Sequence, residues 1–329
     1  MSHIIQFNEP VAGGDLQILV NSSRFGRYLE DASLPDDGAR RLVFANLRAL
    51  VARADTLTIA AFSPDGEIEG LLVCRLSAWD TEHFGFPFAT IEAILTAPVR
   101  HERKLEVARE LLERFDVWCA SESVRFVSTR VPALDLSAIH ALEEHGFRFI
   151  ESWIYNKLDL ARVPKLPEPP ALRLSVPGDM QVMLEYSTSA FATQRFHADG
   201  NFDPVKADSL YRKWIETAFH DSNQLIAVLE SEGKPKAFMV YYKSDLRGFV
   251  GRQFAMWKMA LLDPASRGQG LGTQFFSALA RHHAGEGLDV IDSGLSLRNL
   301  PSLNLHNKNQ FKVVSTIATF HKWMDPRVN

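Results

Sequence analysis

The sequence PASRGQGLGTQFF, residues 264–276, sets Arg267 before three glycines, Gly268, Gly270 and Gly272, that alternate with larger residues. An apolar run, 256–262, precedes it and a helical run, 273–281, follows it. The first amides of a helix have no intrahelical partner, and the helix dipole adds partial positive charge there. Glycines let a ligand approach the backbone and permit unusual dihedrals. Together these features suit an anion, best a pyrophosphate, with Arg267 as a charge-assisted donor. Two other phosphate loops do not fit. A Walker loop ends in Gly-Lys-Ser/Thr, whereas Gly272 is followed directly by Thr273. A dinucleotide fingerprint needs G-x-G-x-x-G in a first strand-helix-strand unit; these glycines are more tightly spaced and lie in the last quarter of the chain.

The spacing that fits is R-x-x-G-x-G, at Arg267, Gly270 and Gly272. Between a strand and a helix, and ahead of an Asn-led helix at 299–311, this pattern resembles the GNAT superfamily of acetyl-CoA-dependent N-acetyltransferases. The resemblance implies that the loop amides hold the coenzyme A pyrophosphate. It also implies that the preceding strand is splayed from its neighbour and bonds the pantetheine arm through its backbone. Coenzyme binding then falls to Ala260, Leu261, Leu262, Arg267, Gly268, Gln269, Gly270, Leu271, Gly272, Thr273 and Asn299. A second family pattern, N-x-x-A-x-x-L-Y-x-x-x-G-F, is met at Asn299, Ser302, Leu305 and Phe311. His306 stands at its Tyr and Gln310 at its Gly. The family's Tyr commonly protonates the departing thiolate. A histidine, with an ordinary pKa near about 6.5, can also donate a proton near neutrality. His306 is therefore the expected general acid.

Two further stretches, WDTEHFGFPFATI (79–91) and RFHADGNFDPVKADSLYRKWI (195–215), look similar to the TDP-fucosamine acetyltransferase family. Those GNAT enzymes acetylate a 4-amino-4,6-dideoxy sugar carried on TDP. The likeness runs from about residue 70 to the end of the chain. It implies a small-molecule amine acceptor held by Trp79, Phe84, Phe86, Arg195, His197 and Asp199. The same residues also read structurally. Asp203 before Pro204 makes an N-cap with Pro at the first helical position, and the aromatic stretch can fill a core. The run 256–262 contains no Glu, so His197, Asp199 and Asp292 are the candidate bases. Neither Cys74 nor Cys119 stands near the loop, so direct transfer is expected rather than an acyl-enzyme. Adjacent His282 and His283 diverge on a helix, which reads them as surface residues, and no metal is expected.

The elements that position these residues occur twice. A helix fits 39–54, then strand, turn and strand over 57–77, a strand at 88–98, a helix at 104–122, a strand at 124–131, a short helix at 136–147 and a strand to 160. The second half follows the same order, with strands within 223–245, at 253–264, 288–296 and 312–324. Four prolines within 162–171 make that segment a linker. The expected fold class is α/β (α+β), two tandem GNAT-like domains, each a mixed, mostly antiparallel sheet flanked by helices. The expected division is an N-terminal helical extension (1–56), a degenerate GNAT-like domain (57–161), the linker, and a catalytic GNAT domain (172–329). Superposing Pro98 on Pro264 puts His101, Lys104 and Glu106 where the second half has Arg267, Gly270 and Gly272. A glutamate beside a pyrophosphate is unfavourable, so the first half is expected to have lost the coenzyme site.

Composition excludes other classes. The chain has 329 residues, is 46% hydrophobic and 23% charged, and has a net charge of -4, which argues against a nucleic-acid partner. Two cysteines give neither a disulfide framework nor a zinc spacing. There is no leader-like start and no apolar run of membrane-spanning length, so a soluble cytoplasmic protein is expected. The rival readings are a non-catalytic coenzyme A-binding protein, a GNAT enzyme with an amino-acid, polyamine or protein amine as acceptor, and an aminoacyl-tRNA-dependent transferase.

Overall fold

The computed structural model describes residues 4–163, 172–188, 190 and 194–324. It divides into two compact units: residues 1–153 with 315–329, and residues 154–314. The expected boundaries, 57–161 and 172–329, run differently. The break falls inside a strand, and the last strand belongs to the first unit. The expected linker, 162–171, lies mostly outside the described residues.

Unit 1 contains β1 (Ile4–Phe7), α1 (Gly13–Ser22), α2 (Asp36–Val51), β2 (Thr56–Phe62), β3 (Ile68–Leu76), α3 (Ala78–Phe84), β4 (Phe88–Thr96), α4 (His101–Ser121), β5 (Phe126–Pro132), α5 (Leu136–Glu144) and the first half of β6 (Arg148–Asp159). Unit 2 contains the rest of β6, β7 (Leu172–Leu174), α6 (Asp179–Ser187), α7 (Arg195–Ala198), α8 (Pro204–His220), β8 (Leu225–Ser231), β9 (Lys234–Asp245), α9 (Arg247–Val250), β10 (Gln253–Leu262), α10 (Leu271–Gly285), β11 (Val290–Ser296) and α11 (Leu300–Lys308). The last strand, β12 (Lys312–Trp323), crosses into unit 1 and pairs antiparallel with β5, from Ile317 opposite Pro132 to Trp323 opposite Phe126.

The strands of the two units follow one plan. In unit 1, β1, β2, β3 and β4 pair antiparallel and β4 pairs parallel with β5. In unit 2, β7, β8, β9 and β10 pair antiparallel and β10 pairs parallel with β11. Each unit is thus a mixed, mostly antiparallel sheet flanked by helices, as the sequence leads one to expect. The residues 1–56 are more than a helical extension. β1 adds a strand to the sheet, because Ile4 to Phe7 pair with Phe62 to Ile59. The aromatic turn at 79–91 begins as a helix, since the Ser77 side chain caps the Asp80 N–H.

Both faces of each sheet are covered. In unit 1, α1 and α2 pack Leu16, Leu19, Val43 and Leu47 on one face, and α4 packs Val107, Leu111 and Phe115 on the other. In unit 2, α10 places Phe275, Phe276 and Leu279 on one face, while α6 and α8 place Met183, Leu184 and Ile215 on the other. The cover is tight where α4 crosses Gly70 of β3. A Cβ there would lie 2.5 Å from Val107 Cγ1 and 3.2 Å from the Leu95 carbonyl oxygen. Only glycine allows that approach. Gly70→Ala is expected to destabilise the protein by about 1–3 kcal/mol through overpacking. Urea unfolding checks this, and an unchanged midpoint would show that α4 can move away at no cost.

Candidate functional site

The second half's glycine loop is assembled from its base upward. Asp263 ends β10 and organises the turn. Its carboxylate accepts from Ala265 N at 3.0 Å, Ser266 Oγ at 2.9 Å and Lys236 Nζ at 2.8 Å. The Lys236 ammonium beside it holds its carboxyl below the usual range. Neither residue was singled out from the sequence; an acid just before Pro264, followed by Ser266, is the capping signal that marks it. Gln269 Nε2 then donates to Ala265 O at 3.1 Å, folding the loop back on itself.

The three glycines do different things. Gly268 and Gly270 have φ of 76° and 82°, and Gly270 is the N-cap of α10. A Cβ at either would meet nothing within 4 Å, so the left-handed backbone is the constraint and the space above it is open. Gly272 instead faces Leu305 and Leu262, whose Cδ2 atoms lie 3.0 and 3.2 Å from where its Cβ would be. It lets α10 start close against β10. Arg267 and Gln269 are exposed, and Leu271 and Thr273 are half-buried in the first turn of α10. The arrangement suits an anion: a helix of 15 residues begins at an open loop of left-handed glycines.

The strand before the loop parts from its neighbour. β10 and β11 pair in parallel from Phe254/Val290 to Trp257/Ser293 and no further, although β10 runs to Leu262 and β11 to Ser296. Lys258 is an extra residue at that point, a bulge against β9 between Trp257 and Met259. The extra residue shifts the alternation. Ala255 and Trp257 face α10, and after the bulge Ala260 and Leu262 do so, while Met259 and Leu261 face α6 and α8. Ala260, Leu261 and Leu262 therefore line the part of β10 that has left β11.

Unit 1 has the same bulge and the same parting. Superposing Pro98 on Pro264 puts Glu92 on Lys258, and Glu92 is the unpaired residue of β4. β4 and β5 pair only as far as Ile91/Thr129. At that last pair Thr129 Oγ1 also donates to Ile91 O at 3.1 Å. Superposing Phe147 on Phe311 puts Ser293 at the position of Thr129, but the Ser293 hydroxyl is engaged with His306 Nε2 at 2.9 Å.

That contact bears on the reading of His306 as a general acid. His306 is 3% exposed, packed against Phe276 and Phe311. Its Nδ1 lies 2.8 Å from Ser302 O, a carbonyl that can only accept. The ring is thus the Nδ1–H tautomer, and Nε2 accepts from Ser293. Burial pushes its pKa down to about 4. A neutral imidazole whose one proton is held by a backbone carbonyl has none to give a thiolate. Asn299 also acts locally, where its Oδ1 accepts from Ser302 N at 3.1 Å and caps α11. Asp135 does the same for α5, at 3.1 Å from Ala138 N, in the half without a glycine loop. Gln310, at the family's glycine, takes φ of 63°, a conformation that favours glycine.

The acceptor candidates fall in both units. Trp79, Phe84 and Phe86 lie in unit 1. Phe84 is 1% exposed among Phe86 and Phe88, so it is a core residue and not a ligand contact. Phe86 packs on Trp323, and Trp79 stacks on His83. In unit 2, the Arg195 guanidinium lies over Phe196, His197 Nε2 is 2.8 Å from Asp208 Oδ1, and buried Asp199 closes a turn by accepting from Asn201 N and Nδ2. Asp203 caps α8 through Val205 N at 2.8 Å, as its place before Pro204 implies. Asp292 is buried on β11 beside Ser293, opposite Met256. Cys74 and Cys119 are fully buried, and burial pushes both thiols up.

His283 is not a surface residue. It is 0% exposed, and Trp257 Nε1 donates to its Nε2 at 3.1 Å, anchoring the last paired residue of β10 to α10. Its ligand atom, those of His282 and Glu286 lie within 4.8 Å of one another. Adjacent histidines do diverge, but Glu286 is three residues from one and four from the other, so one carboxylate meets both. Lys243 Nζ already holds Glu286 at 2.6 Å.

Burial lowers the pKa of both His283 and His306 to about 4, below the unfolded value of about 6.5. The unfolded chain then binds more protons between those values. Stability is fully present above pH 6.5 and is lost as pH falls through about 4. The thermal midpoint is expected to drop between pH 7 and pH 4.5. His283→Gln, which keeps an acceptor for Trp257, should flatten that dependence; thermal scans across the window check it, and an unchanged slope would contradict it.

Among the described residues, no helix is long and apolar enough to cross a membrane. Residues 189–311 match the acetyltransferase (GNAT) family. The spore coat polysaccharide biosynthesis protein SpsD of Bacillus subtilis (strain 168) is 17% identical over 263 residues, 79% of this chain and 86% of that protein. A GCN5-related N-acetyltransferase from Sphaerobacter thermophilus has a similar structure, with a TM-score of 0.64 and 15% identity over 98% of this chain and 96% of that one. A tandem GNAT protein from the clavulanic acid biosynthesis pathway gives 0.57 and 16%, covering 98% and 99%. The chain has the tandem GNAT fold, and within it residues 189–311 match the acetyltransferase family's model.

Proposed function

We propose that unit 2 binds acetyl-CoA and transfers its acetyl group directly to a primary amine, with the amino group of a nucleotide-linked amino sugar as acceptor. The observation that carries this reading is a coincidence of two features. The open glycine loop at the start of α10 lies at the end of the one strand that has parted from β11. Pyrophosphate oxygens would accept from the amides of the loop and first helical turn, with Arg267 adding charge. The exposed edge of β10 beyond Trp257 would bond the pantetheine arm, and an amide there would polarise the thioester carbonyl. The amine nitrogen attacks that carbon, the C–S bond breaks, and the proton lost by nitrogen is matched by one gained by sulfur. The products are an N-acetyl amine and free coenzyme A. His306 serves by holding the Ser293 hydroxyl, not by supplying the proton.

The sugar acceptor is supported by the likeness of 79–91 and 195–215 to enzymes acting on amino sugars and by the role of the Bacillus subtilis relative in polysaccharide biosynthesis. Unit 1 is read as the same fold without the coenzyme site. Its α4 starts at His101 with no glycine in the turn before it, and His101 bonds Ser137 Oγ at 3.0 Å.

The test pairs two substitutions that share one backbone strain. Gly270→Ala and Gly270→Glu both force a side chain into φ of 82° where nothing lies within 4 Å. Calorimetric titration with acetyl-CoA should show Gly270→Glu at least tenfold weaker than Gly270→Ala, with thiol release on an amine panel lost in step. Equal affinities would remove the loop as the pyrophosphate site.

A further inference from the structure

Unit 1 holds a cavity of about 600 Å³, lined by residues between Asn8 and Thr58. It lies where α1 begins, α2 ends and β1 leaves β2. We propose that this cavity binds a small carboxylic acid with an apolar body, its carboxylate held by Arg48 and the start of α1. The site is independent of the acetyl-transfer reading, because every residue lining it belongs to unit 1. Its volume falls in the range of about 300–1,000 Å³ typical of small-molecule sites.

A buried hydroxyl is the first argument. Thr56 is 7% exposed and Thr58 is 6% exposed, and both line the cavity. Strand alternation puts them on the face of β2 that carries Ala60, the side covered by α1 and α2. Thr56 Oγ1 has no hydrogen-bond partner among the described residues. Valine has nearly the same shape and no hydroxyl to leave unpaired, so packing alone gives no reason for threonine there. A ligand oxygen in the cavity gives one.

The donors are the second. Helix α1 has 10 residues and starts at Gly13, which lines the cavity. Its N-cap is Ala12, a residue with no side-chain oxygen to offer the first amides. Those amides and the helix dipole favour an anion. Arg48, in the last turn of α2, also lines the cavity, and its side chain forms no ion pair or hydrogen bond with another described residue. Arg53 differs, since its guanidinium is tied to Asp55 by bonds of 2.8 and 2.7 Å. Arg48 is therefore the cation left for a ligand, and a guanidinium matches a carboxylate with two parallel bonds.

The walls determine what the anion is attached to. Val11, Phe44 and Val51 are half-buried at the edge of the core that contains Leu16, and all four line the cavity. They offer apolar surface to the body of a ligand. Glu9, which is exposed, lines the cavity as well. Its charge repels a dianionic phosphate more than a single carboxylate.

The test is a titration of the full chain without acetyl-CoA. Octanoate, 3-phenylpropionate and indole-3-propionate are followed by calorimetry, each beside its neutral primary amide. At least one acid should bind, and its amide should bind about tenfold more weakly or worse. Arg48→Gln should weaken that acid about tenfold and bring it level with its amide. Thr56→Val should weaken it about fivefold, and circular dichroism checks that both variants are folded. Gly270→Glu, in the loop of unit 2, should leave the acid's affinity unchanged. Binding of none of the acids, an amide that binds as well as its acid, an affinity unchanged in Arg48→Gln or Thr56→Val, or one lost in Gly270→Glu would overturn the proposal.

Discussion

One extra residue in β10 governs the site. A parallel pair of strands keeps its hydrogen bonds only while both keep the same rise and twist. Lys258 breaks that match, and the pairing of β10 with β11 ends at Trp257/Ser293. The bulge also resets which side chains face which helix. Without it Met259 and Leu261 would point at α10, and Leu262 would point away from it. With it, Leu262 meets Gly272 and Leu305, so the loop starts against the strand it follows. The edge opened by the bulge and the helix end that closes the loop are therefore parts of one arrangement. Trp257 fixes its near end through His283, and Asp263 with Lys236 fixes its far end.

The duplicated plan separates what is structural from what is specific. Both units have the bulge, the short parallel pair and an Asx cap on the following helix. None of these features alone marks a coenzyme site. What differs is the polar contact at the last paired position. Thr129 donates its hydroxyl to Ile91 O, on the residue it already pairs with. The Ser293 hydroxyl instead bonds His306 Nε2, so the His at the family's Tyr position ties β11 to α11.

The loop, the two-fold plan and the helix caps are legible in the sequence because each is local. Asp203-Pro204 and the glycine alternation carry their geometry in adjacent residues. Expectation and structure part where the outcome is set by distant packing. His306 sits in the right register of a motif, yet register says nothing of Phe276, Phe311 and Ser293, which bury the ring and engage its Nε2. Phe84 belongs to an aromatic stretch that looks like a binding surface until Phe86 and Phe88 are seen to cover it. The bulge leaves no mark in the periodicity because Trp257, Lys258 and Met259 also fit an ordinary strand. The membership of β12 in unit 1 depends on pairing with β5, far away in sequence.

The glycine motif itself combines two requirements that a pattern writes in one line. Gly268 and Gly270 are required by backbone dihedrals, with empty space beside them. Gly272 is required by contact, with Leu305 and Leu262 side-chain atoms 3.0 and 3.2 Å from any Cβ. The first two leave amides and room for an anion, and the third brings the helix end close enough to the strand for that room to adjoin its open edge. In unit 1, α4 also approaches its sheet closely, but there the close contact is made at Gly70 on the strand and not in the turn. A close approach of helix to sheet can thus be met without loop glycines. The two left-handed glycines have no packing reason to be glycine; their backbone dihedrals alone require it.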